Sequence, residues 1–239
     1  SFVEQALESA IAAWERPPVR VSVTQASTDD EVASAEEEGR TEPNSYAHSS
    51  PAMMIQFSIA GLIGSAELLV LERKSKALQR LLTTTISRFE IILGHYLAIF
   101  TLIFLQLALL VGFGQLVLGV GYMREPLATV TVIVAMALWT AGLGLLIGVL
   151  AKTQEQAVMF AMIPMFILSA LGGAWMPLET TSETFQTIGH LTPTAWAMDG
   201  LQNIVVRGLG LRSVLLPVGI LLAYATAFFA LAVWRFRLE

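Results

Sequence analysis

Uncharged apolar runs dominate the chain beyond residue 50. A helix needs about 20 apolar residues to cross the hydrocarbon layer of a membrane, and each run reaches that length, the first one only with Glu67 included. Helices on the outside of a large soluble core would need charged faces, which these runs lack. The pattern therefore predicts an all-α polytopic membrane protein with about five transmembrane helices. We place these spans near residues 52–71, 96–118, 127–150, 157–175 and 214–234.

Residues 1–50 form a polar segment with ten acidic and only three basic residues. Apolar positions from Val3 to Trp14 follow helical spacing and predict a short amphipathic helix. Residues 19–23 alternate as in a strand, and residues 26–48 have a composition typical of a mobile stretch. We therefore expect a small mixed extracytoplasmic segment ahead of a transmembrane domain formed by residues 51–239.

Lys and Arg are concentrated in alternate connections between the spans. Residues 72–90, Lys152 and the C-terminus hold more of them than the opposite set of loops, so the positive-inside rule places these parts in the cytoplasm. Residues 1–50 then face outward, in a multi-pass protein of the plasma membrane (the inner membrane of a bacterium). Five spans cannot export an N-terminal segment without an earlier one, so we expect a sixth helix before Ser1.

Residue types that carry chemistry are sparse in this chain. It has no cysteine, which excludes disulfides, thiolate metal sites and cysteine nucleophiles. Basic patches interleaved with aromatic residues are missing, so nothing predicts nucleic-acid binding. Because no catalytic constellation, metal motif or phosphate loop occurs, we expect no catalytic residue, metal or cofactor in this chain. His48, His95 and His190 lie near predicted helix boundaries, where solvated or interfacial histidines are more common than metal ligands.

Glu67 is the one acidic residue inside a predicted span. Ionisable groups at membrane depth are often functional, which would make Glu67 a proton or cation site. It also lies just over one turn from Arg73, so it can instead reach the interface or a basic partner. The second interpretation is favoured, because an ion-coupled carrier usually has a chain of polar groups.

Small residues recur at helical spacing in two spans. Gly144 and Gly148 form a GxxxG pattern, and Gly61 and Gly64 lie near one face of the first span. Small side chains let helix backbones approach each other closely in lipid. For the GxxxG pair, packing inside one subunit is favoured over a dimer contact.

Two segments between the spans have their own patterns. Within residues 72–90, a basic amphipathic helix from Lys74 to Phe89 is predicted on the cytoplasmic surface. Such a helix is either an interfacial anchor or the contact with a soluble partner. Residues 176–208 are moderately apolar but interrupted by Pro193, and they predict re-entrant or surface helices on the outer side.

Three stretches, in this order, resemble the permease subunit of type-2 ATP-binding-cassette (ABC) exporters. Residues 44–54 resemble the entry into that family's second span. Residues 72–94 are similar to its Glu-Arg pair, its amphipathic helix with Arg-Leu-Leu, and its Ser-Arg turn followed by Leu-Gly. Residues 171–208 resemble its outer loop, with the motifs Leu-Gly-Gly-Ala-Trp-Met-Pro-Leu, Leu-Thr-Pro-Thr-Ala-Trp and Val-Arg-Gly.

The chain departs from that family's pattern at three places. Ser75-Lys76 stands where Gly-Thr is usual, Thr85 replaces a Pro, and His95 replaces a Lys that commonly follows the Leu-Gly. These departures concern local turn geometry. The resemblance covers roughly residues 44–239.

The resemblance implies a six-span permease that pairs with a second copy or a homologous permease in the lipid bilayer. A separate ATPase subunit would bind ATP and Mg, and the pair would move a drug, lipid or glycolipid outward by alternating access. Residues that the resemblance implies for coupling to the ATPase are Glu72, Arg73, Lys74, Leu78, Arg80, Leu81 and Arg88. Residues that we place at the pathway or dimer interface are Gln56, Phe57, Gly61, Gly64, Met162 and Phe166.

Two further function classes stay open from the sequence. One is an ion-coupled carrier or channel without an ATPase, in which Glu67 is the coupling group. The other is a membrane anchor for an outer binding module in residues 1–50.

Overall fold

The computed structural model describes residues 46–74 and 87–236, and within these ranges it contains seven α-helices and no strand. The helices are α1 (Tyr46–Lys74), α2 (Arg88–Leu116), α3 (Pro126–Leu150), α4 (Gln154–Leu171), α5 (Glu183–Gly189), α6 (Pro193–Val205) and α7 (Leu211–Arg235). Two 3₁₀ turns, Tyr122–Arg124 and Leu178–Thr180, precede α3 and α5.

Five of these helices, α1 to α4 and α7, are long and apolar enough to cross a membrane. They lie over the five predicted spans, so the prediction of an all-α polytopic membrane protein is confirmed. The helix and strand expected before residue 26 lie outside the described residues.

The start of α2 differs from the predicted span, which began near residue 96. Ser87 is the N-cap of α2, and its hydroxyl accepts a hydrogen bond from the Glu90 N–H at 3.3 Å. The Ser87 N–H in turn donates to the Glu90 carboxylate at 2.7 Å, which completes a capping box. The helix therefore starts at Arg88, two turns earlier than predicted.

The end of α4 also differs from the prediction, which extended the span to residue 175. α4 ends at Leu171, and the next residue, Gly172, caps it. Gly173 then adopts a left-handed φ of 79°, a conformation that favours glycine and turns the chain away from the helix axis.

Helix α3 is at the centre of the bundle and contacts α1, α2 and α7. In the most apolar 18-residue stretch of α3, 83% of the residues are buried, whereas in the corresponding stretch of α4 only 17% are buried. Trp139, on α3, is fully buried. The outward-facing residues of α2, α4 and α7 are mostly large and apolar, as expected for helices that meet lipid or another membrane subunit.

Glycines on α3 allow this close packing. A Cβ on Gly144 would lie 2.8 Å from the Leu62 side chain, and one on Gly148 would lie 2.7 Å from Leu69. Both leucines belong to α1. The GxxxG pair therefore packs inside the subunit, as predicted.

Polar contacts show which segments share an end of the bundle. Ser50, near the start of α1, hydrogen-bonds the Tyr122 hydroxyl at 2.8 Å. At the other end of α1, Glu72 contacts His95 of α2. We call these the Tyr122 end and the Glu72 end.

The predicted outer helices are α5 and α6, at the Tyr122 end. They differ in burial: α5 is mostly exposed, whereas α6 packs among α1, α3 and α7. Pro193 occupies the first turn of α6, where its missing N–H leaves no helical hydrogen bond unmade. Only α5 is thus a surface helix.

Candidate functional site

The last turn of α1 and the first turns of α2 are joined by a contact between Glu72 and His95. His95 Nε2 lies 2.5 Å from Glu72 Oε2. His95 Nδ1 lies 2.8 Å from the Ile91 carbonyl oxygen, one turn earlier in α2. The side chains are partly buried, with 20% of His95 and 34% of Glu72 exposed.

The contact with the Ile91 carbonyl oxygen fixes the hydrogen on one ring nitrogen of His95. A carbonyl oxygen only accepts, so Nδ1 of His95 carries a hydrogen. Nε2 and the Glu72 carboxylate lie at hydrogen-bond distance, so the pair joins the end of α1 to the start of α2. The Glu90 carboxylate, which accepts from the Ser87 N–H, lies at the same end.

A groove of about 610 Å³ lies between α1 and α2 beside this pair. Its floor is formed by the buried side chains Leu69, Ile91 and Ile99, and its rims by the exposed side chains Leu68 and Leu102. The walls are therefore apolar along most of their length.

The two ends of the groove are polar. Glu72, His95 and Glu90 line the groove at the Glu72 end. Toward the other end, the Gln106 side chain donates to the Phe57 carbonyl at 2.9 Å and so joins α2 to α1. The groove thus has one charged end and one uncharged end.

Those predicted coupling residues that the structure describes lie at or next to the charged end of the groove. Glu72 and Lys74 are in the last turn of α1, and Lys74 is exposed. Arg73 and Arg88 belong to α1 and α2 by their backbone. Leu78, Arg80 and Leu81 lie outside the described residues.

The bounds of the predicted amphipathic helix need correction at both ends. Lys74 continues α1, and Ser87 has an extended backbone with ψ 155°, after which α2 begins. Arg88 and Phe89 therefore belong to α2. The Phe89 ring packs edge-on against Phe229 of α7, with 6.2 Å between the ring centroids, so it is not part of a surface helix.

The predicted pathway or dimer residues fall into two groups. Gly61 and Gly64 line the groove, and Gln56 and Phe57 lie one turn before them on α1. Met162 and Phe166 are exposed on α4 and belong to a different surface. The structure therefore does not bring all six residues to one wall.

Glu67 is half-buried on α1 and is not among the residues that line the groove. Arg73, just over one turn away, has a side chain outside the described part of the chain. The role of Glu67 therefore stays a prediction.

A second polar cluster connects α5 and α6 at the Tyr122 end. His190 Nδ1 lies 2.8 Å from the Gln186 carbonyl oxygen, and Nε2 lies 2.9 Å from the Asp199 carboxylate. The Trp196 ring stands edge-on to the imidazole, and its indole N–H donates to the His190 carbonyl at 2.7 Å. His190 is thus held on three sides.

The protonation of His190 follows from these contacts. Burial works against the charged form, but the hydrogen bonds to the Gln186 carbonyl and to Asp199 outweigh it, and the pKa of His190 is raised. Nearby, Arg207 lies 3.7 Å from Glu179. These four charged residues line a cavity of about 310 Å³.

Sequence reasoning treated the three histidines as solvated or interfacial side chains, and the structure places them in hydrogen-bonded contacts between helices. His48 of α1 accepts from Gln202 of α6 at 3.1 Å. His95 and His190 contact Glu72 and Asp199. The one signal that pointed to such a role was His95 in place of the usual Lys. Within residues 46–74 and 87–236, no group of three His, Cys, Asp or Glu residues is arranged to hold a metal.

Comparison with known proteins decides the family. Residues 8–234 match the family described as ABC-2 family transporter protein. The chain belongs to the ABC-2 family. It is a membrane permease of an ABC transporter, and the resemblance seen in the sequence is confirmed.

Curated relatives of this ABC-2 permease are bacterial. The chain is 29% identical over 189 residues to the linearmycin resistance permease protein LnrN of Bacillus subtilis (strain 168), a match that covers 79% of the chain and 49% of that protein. It is 30% identical over 181 residues to the inner membrane transport permease YhhJ of Escherichia coli (strain K12), covering 74% and 47%. It is 24% identical over 158 residues to the probable multidrug ABC transporter permease YbhS of Escherichia coli (strain K12), covering 66% and 42%.

The ABC-2 chain therefore spans about half the length of the curated relatives that it matches. No solved structure matches it significantly. ABC-2 permeases typically work with an ATPase in a separate subunit.

Proposed function

We propose that this chain is the permease part of an ATP-driven exporter, which moves an amphipathic solute outward by alternating access. The observation that carries the proposal is the groove between α1 and α2. It has apolar walls and one charged end, so it matches a molecule with both characters. The names of two relatives, a linearmycin resistance permease and a probable multidrug permease, support a solute of the drug class.

The energy for transport comes from a partner subunit in this proposal. ATP and Mg would be bound by a separate ABC ATPase, which docks at the cytoplasmic surface. A second copy of this chain, or a homologous permease, would complete the pathway in the bilayer. The Glu72 end is then cytoplasmic, together with the C-terminus, because the basic residues are concentrated there.

Closure of the ATPase would be transmitted through the connection between α1 and α2. Glu72 and Lys74 are in the last turn of α1, so a movement of the following residues acts directly on that span. His95 ties the same turn to α2. A displacement of the connection would therefore move α1 and α2 together and change the groove between them.

The test uses the full-length permease, coexpressed with the ATPase encoded beside it. After purification in mild detergent, the two subunits should copurify, and ATP hydrolysis should depend on the permease. In proteoliposomes, ATP should drive an amphipathic dye such as Hoechst 33342 away from the side that carries the ATPase. A permease that purifies alone, and moves solute in response to a proton gradient without ATP, would favour the carrier that uses Glu67.

A further inference from the structure

Residues 178–190, which we call the α5 segment, are anchored at both ends and exposed between them. Leu178 and Gly189 are buried. An added Cβ on Gly189 would lie 3.1 Å from the Leu178 side chain and 2.7 Å from the Leu171 carbonyl oxygen at the end of α4. Between these anchors, residues 179–188 include no buried residue. Because segments with few buried contacts open at a low cost in free energy, this stretch can leave the bundle without disturbing its core.

The cavity of about 310 Å³ lies between the α5 segment and the rest of the Tyr122 end. Glu179, Gln186 and His190 line it from the α5 segment, while Asn203 of α6 and Ser213 of α7 line it from the other side. Most of α6 is buried in the bundle, so that wall of the cavity is fixed. The wall formed by the α5 segment is held in place by fewer contacts.

Polar contacts around His190 hold the α5 segment against α6. His190 Nε2 lies 2.9 Å from the Asp199 carboxylate, and the Trp196 indole N–H donates to the His190 carbonyl oxygen at 2.7 Å. Glu179 lies farther from Arg207, at 3.7 Å, and about half of each of these two side chains is exposed. Exposed ion pairs at such a distance contribute little to stability. Of the two ion pairs across the cavity, His190–Asp199 is therefore the stronger.

This contact needs a doubly protonated imidazole. His190 Nδ1 lies 2.8 Å from the Gln186 carbonyl oxygen, while Nε2 faces the Asp199 carboxylate. Both partners are acceptors, and a neutral imidazole has one N–H, so only the charged ring can donate to both. Loss of the proton removes the donor from one contact and the positive charge from the other.

The pKa of His190 agrees with this geometry. Burial of the ring lowers the pKa, but the hydrogen bonds with Gln186 and Asp199, together with the charges of Asp199 and Glu179, raise it above the ordinary value of 6.5. The contact is therefore fully made below 6.5 and is lost as pH rises through the raised value. Of the other lining residues, Arg207 is charged, whereas α7 contributes only Ser, Leu and Pro to the cavity.

From this arrangement we infer that the α5 segment is a lid on the cavity, held shut by the His190–Asp199 contact at acidic pH and released as His190 loses its proton. Release moves residues 179–188 away from α6 and opens the cavity to solvent, while the buried anchors stay in place. The Tyr122 end is outward in the proposed orientation, so the lid responds to the pH outside the cell. Such a lid acts independently of the solute and of the ATPase, and so goes beyond the proposed function.

Thiol accessibility in the full-length permease, reconstituted in nanodiscs, tests the lid. Ser213→Cys places a thiol on the α7 wall of the cavity, and Thr184→Cys places one on the exposed surface of α5. Maleimide modification of each site is followed by mass spectrometry of its peptide. As pH rises through the pKa of His190, the rate at Ser213→Cys, divided by the rate at Thr184→Cys, should increase about fivefold, as expected for the loss of one partly exposed ion pair. The division cancels the general increase of thiolate with pH.

Variants assign the pH dependence to this contact. His190→Gln removes the titrating ring, and Asp199→Asn removes the charge that it faces. Either variant should give a high ratio at acidic pH that no longer changes with pH, so each tests the lid if the other does not fold. His48→Gln is the matched control, because His48 also contacts α6, through Gln202 at 3.1 Å, but does not line the cavity. It should keep the wild-type dependence on pH.

Three results would overturn the inference. These are a ratio that is the same at every pH in the otherwise wild-type protein, a wild-type pH dependence in His190→Gln or Asp199→Asn, and loss of the dependence in His48→Gln. A Ser213→Cys thiol that stays unreactive at every pH belongs to the first of these results, because it shows a cavity that does not open.

Discussion

At Gly148, α3 comes so close to α1 that an added methyl group would lie 2.7 Å from the Leu69 side chain. Leu69 is itself buried, so it has little room to move. We expect Gly148→Ala to lower the apparent melting temperature of the purified protein in detergent, by an amount equivalent to about 1–3 kcal/mol, as found for overpacked cores. Gly64→Ala is the control, because nothing lies within 4 Å of its Cβ. Equal melting temperatures for the two variants would contradict the close packing of α1 on α3.

His190 makes the stability of the Tyr122 end depend on pH. Its pKa is raised in the folded protein, so its contribution to stability is fully present below the ordinary value near 6.5 and is lost as pH rises through the raised value. The charged groups around it are Asp199, Glu179 and Arg207. We expect protease resistance of the connection between α4 and α7 to decrease over this range of pH. In His190→Gln the resistance should not change with pH in this way, and a wild-type-like profile in that variant would contradict the assignment.

Contacts of this kind were the least predictable part of the molecule. His190 and Asp199 are nine residues apart, and only the turn between α5 and α6 brings them together. Glu72 and His95 are 23 residues apart on two different spans. Hydrophobic periodicity carries no information on which polar side chains from two elements will meet. His95, which stands where the family commonly has Lys, drew attention to that position but did not indicate Glu72 as its partner.

Among the helices, the membrane spans were predictable because their signal is a long run without charge. The positions at which the helices begin and end were less predictable. The Ser87–Glu90 capping box starts α2 two turns before the predicted span, in a stretch whose amphipathic spacing had indicated a surface helix. The same spacing assigned Phe89 to that helix, although its ring packs on α7. Periodicity does not distinguish a surface helix from the first turns of a span, whereas cap residues do.

The connection between α1 and α2 is the element on which coupling to an ATPase would depend. Reversal of one charge at a docked interface leaves the partner's charge unpaired, which costs several kcal/mol of binding free energy. We therefore expect Arg80→Glu to abolish substrate-stimulated ATP hydrolysis in the assembled complex, while the permease still inserts. ATPase activity and copurification are the measurements.

A matched charge reversal provides the control for this experiment. Arg212 is exposed near the start of α7, at the opposite end of the bundle, so Arg212→Glu should leave hydrolysis unchanged. Unchanged coupling in a double Arg80→Glu, Arg88→Glu variant would reduce the connection to a membrane anchor.

For the whole molecule, the direction of insertion can be measured cleanly because the chain has no cysteine. Lys152, between α3 and α4, and Thr184, on α5, are exposed at opposite ends of the bundle. We expect Thr184→Cys to react with a membrane-impermeant maleimide in intact cells. Lys152→Cys should react only after the membrane is permeabilised. The reverse pattern would show that the orientation inferred from Lys and Arg is inverted.

The central place of α3 has a consequence for how the protein is made. A chain is synthesised from its N-terminus, so α3 enters the bilayer before α7 exists. At Gly142 the backbone of α7 comes so close that an added Cβ would lie 3.2 Å from the Ala225 carbonyl oxygen. Until α7 has been synthesised, the face of α3 around Gly142 lacks this contact. Of the five described spans α7 is the last to be synthesised, so a nascent chain that stops short of it leaves this face of α3 without its partner helix.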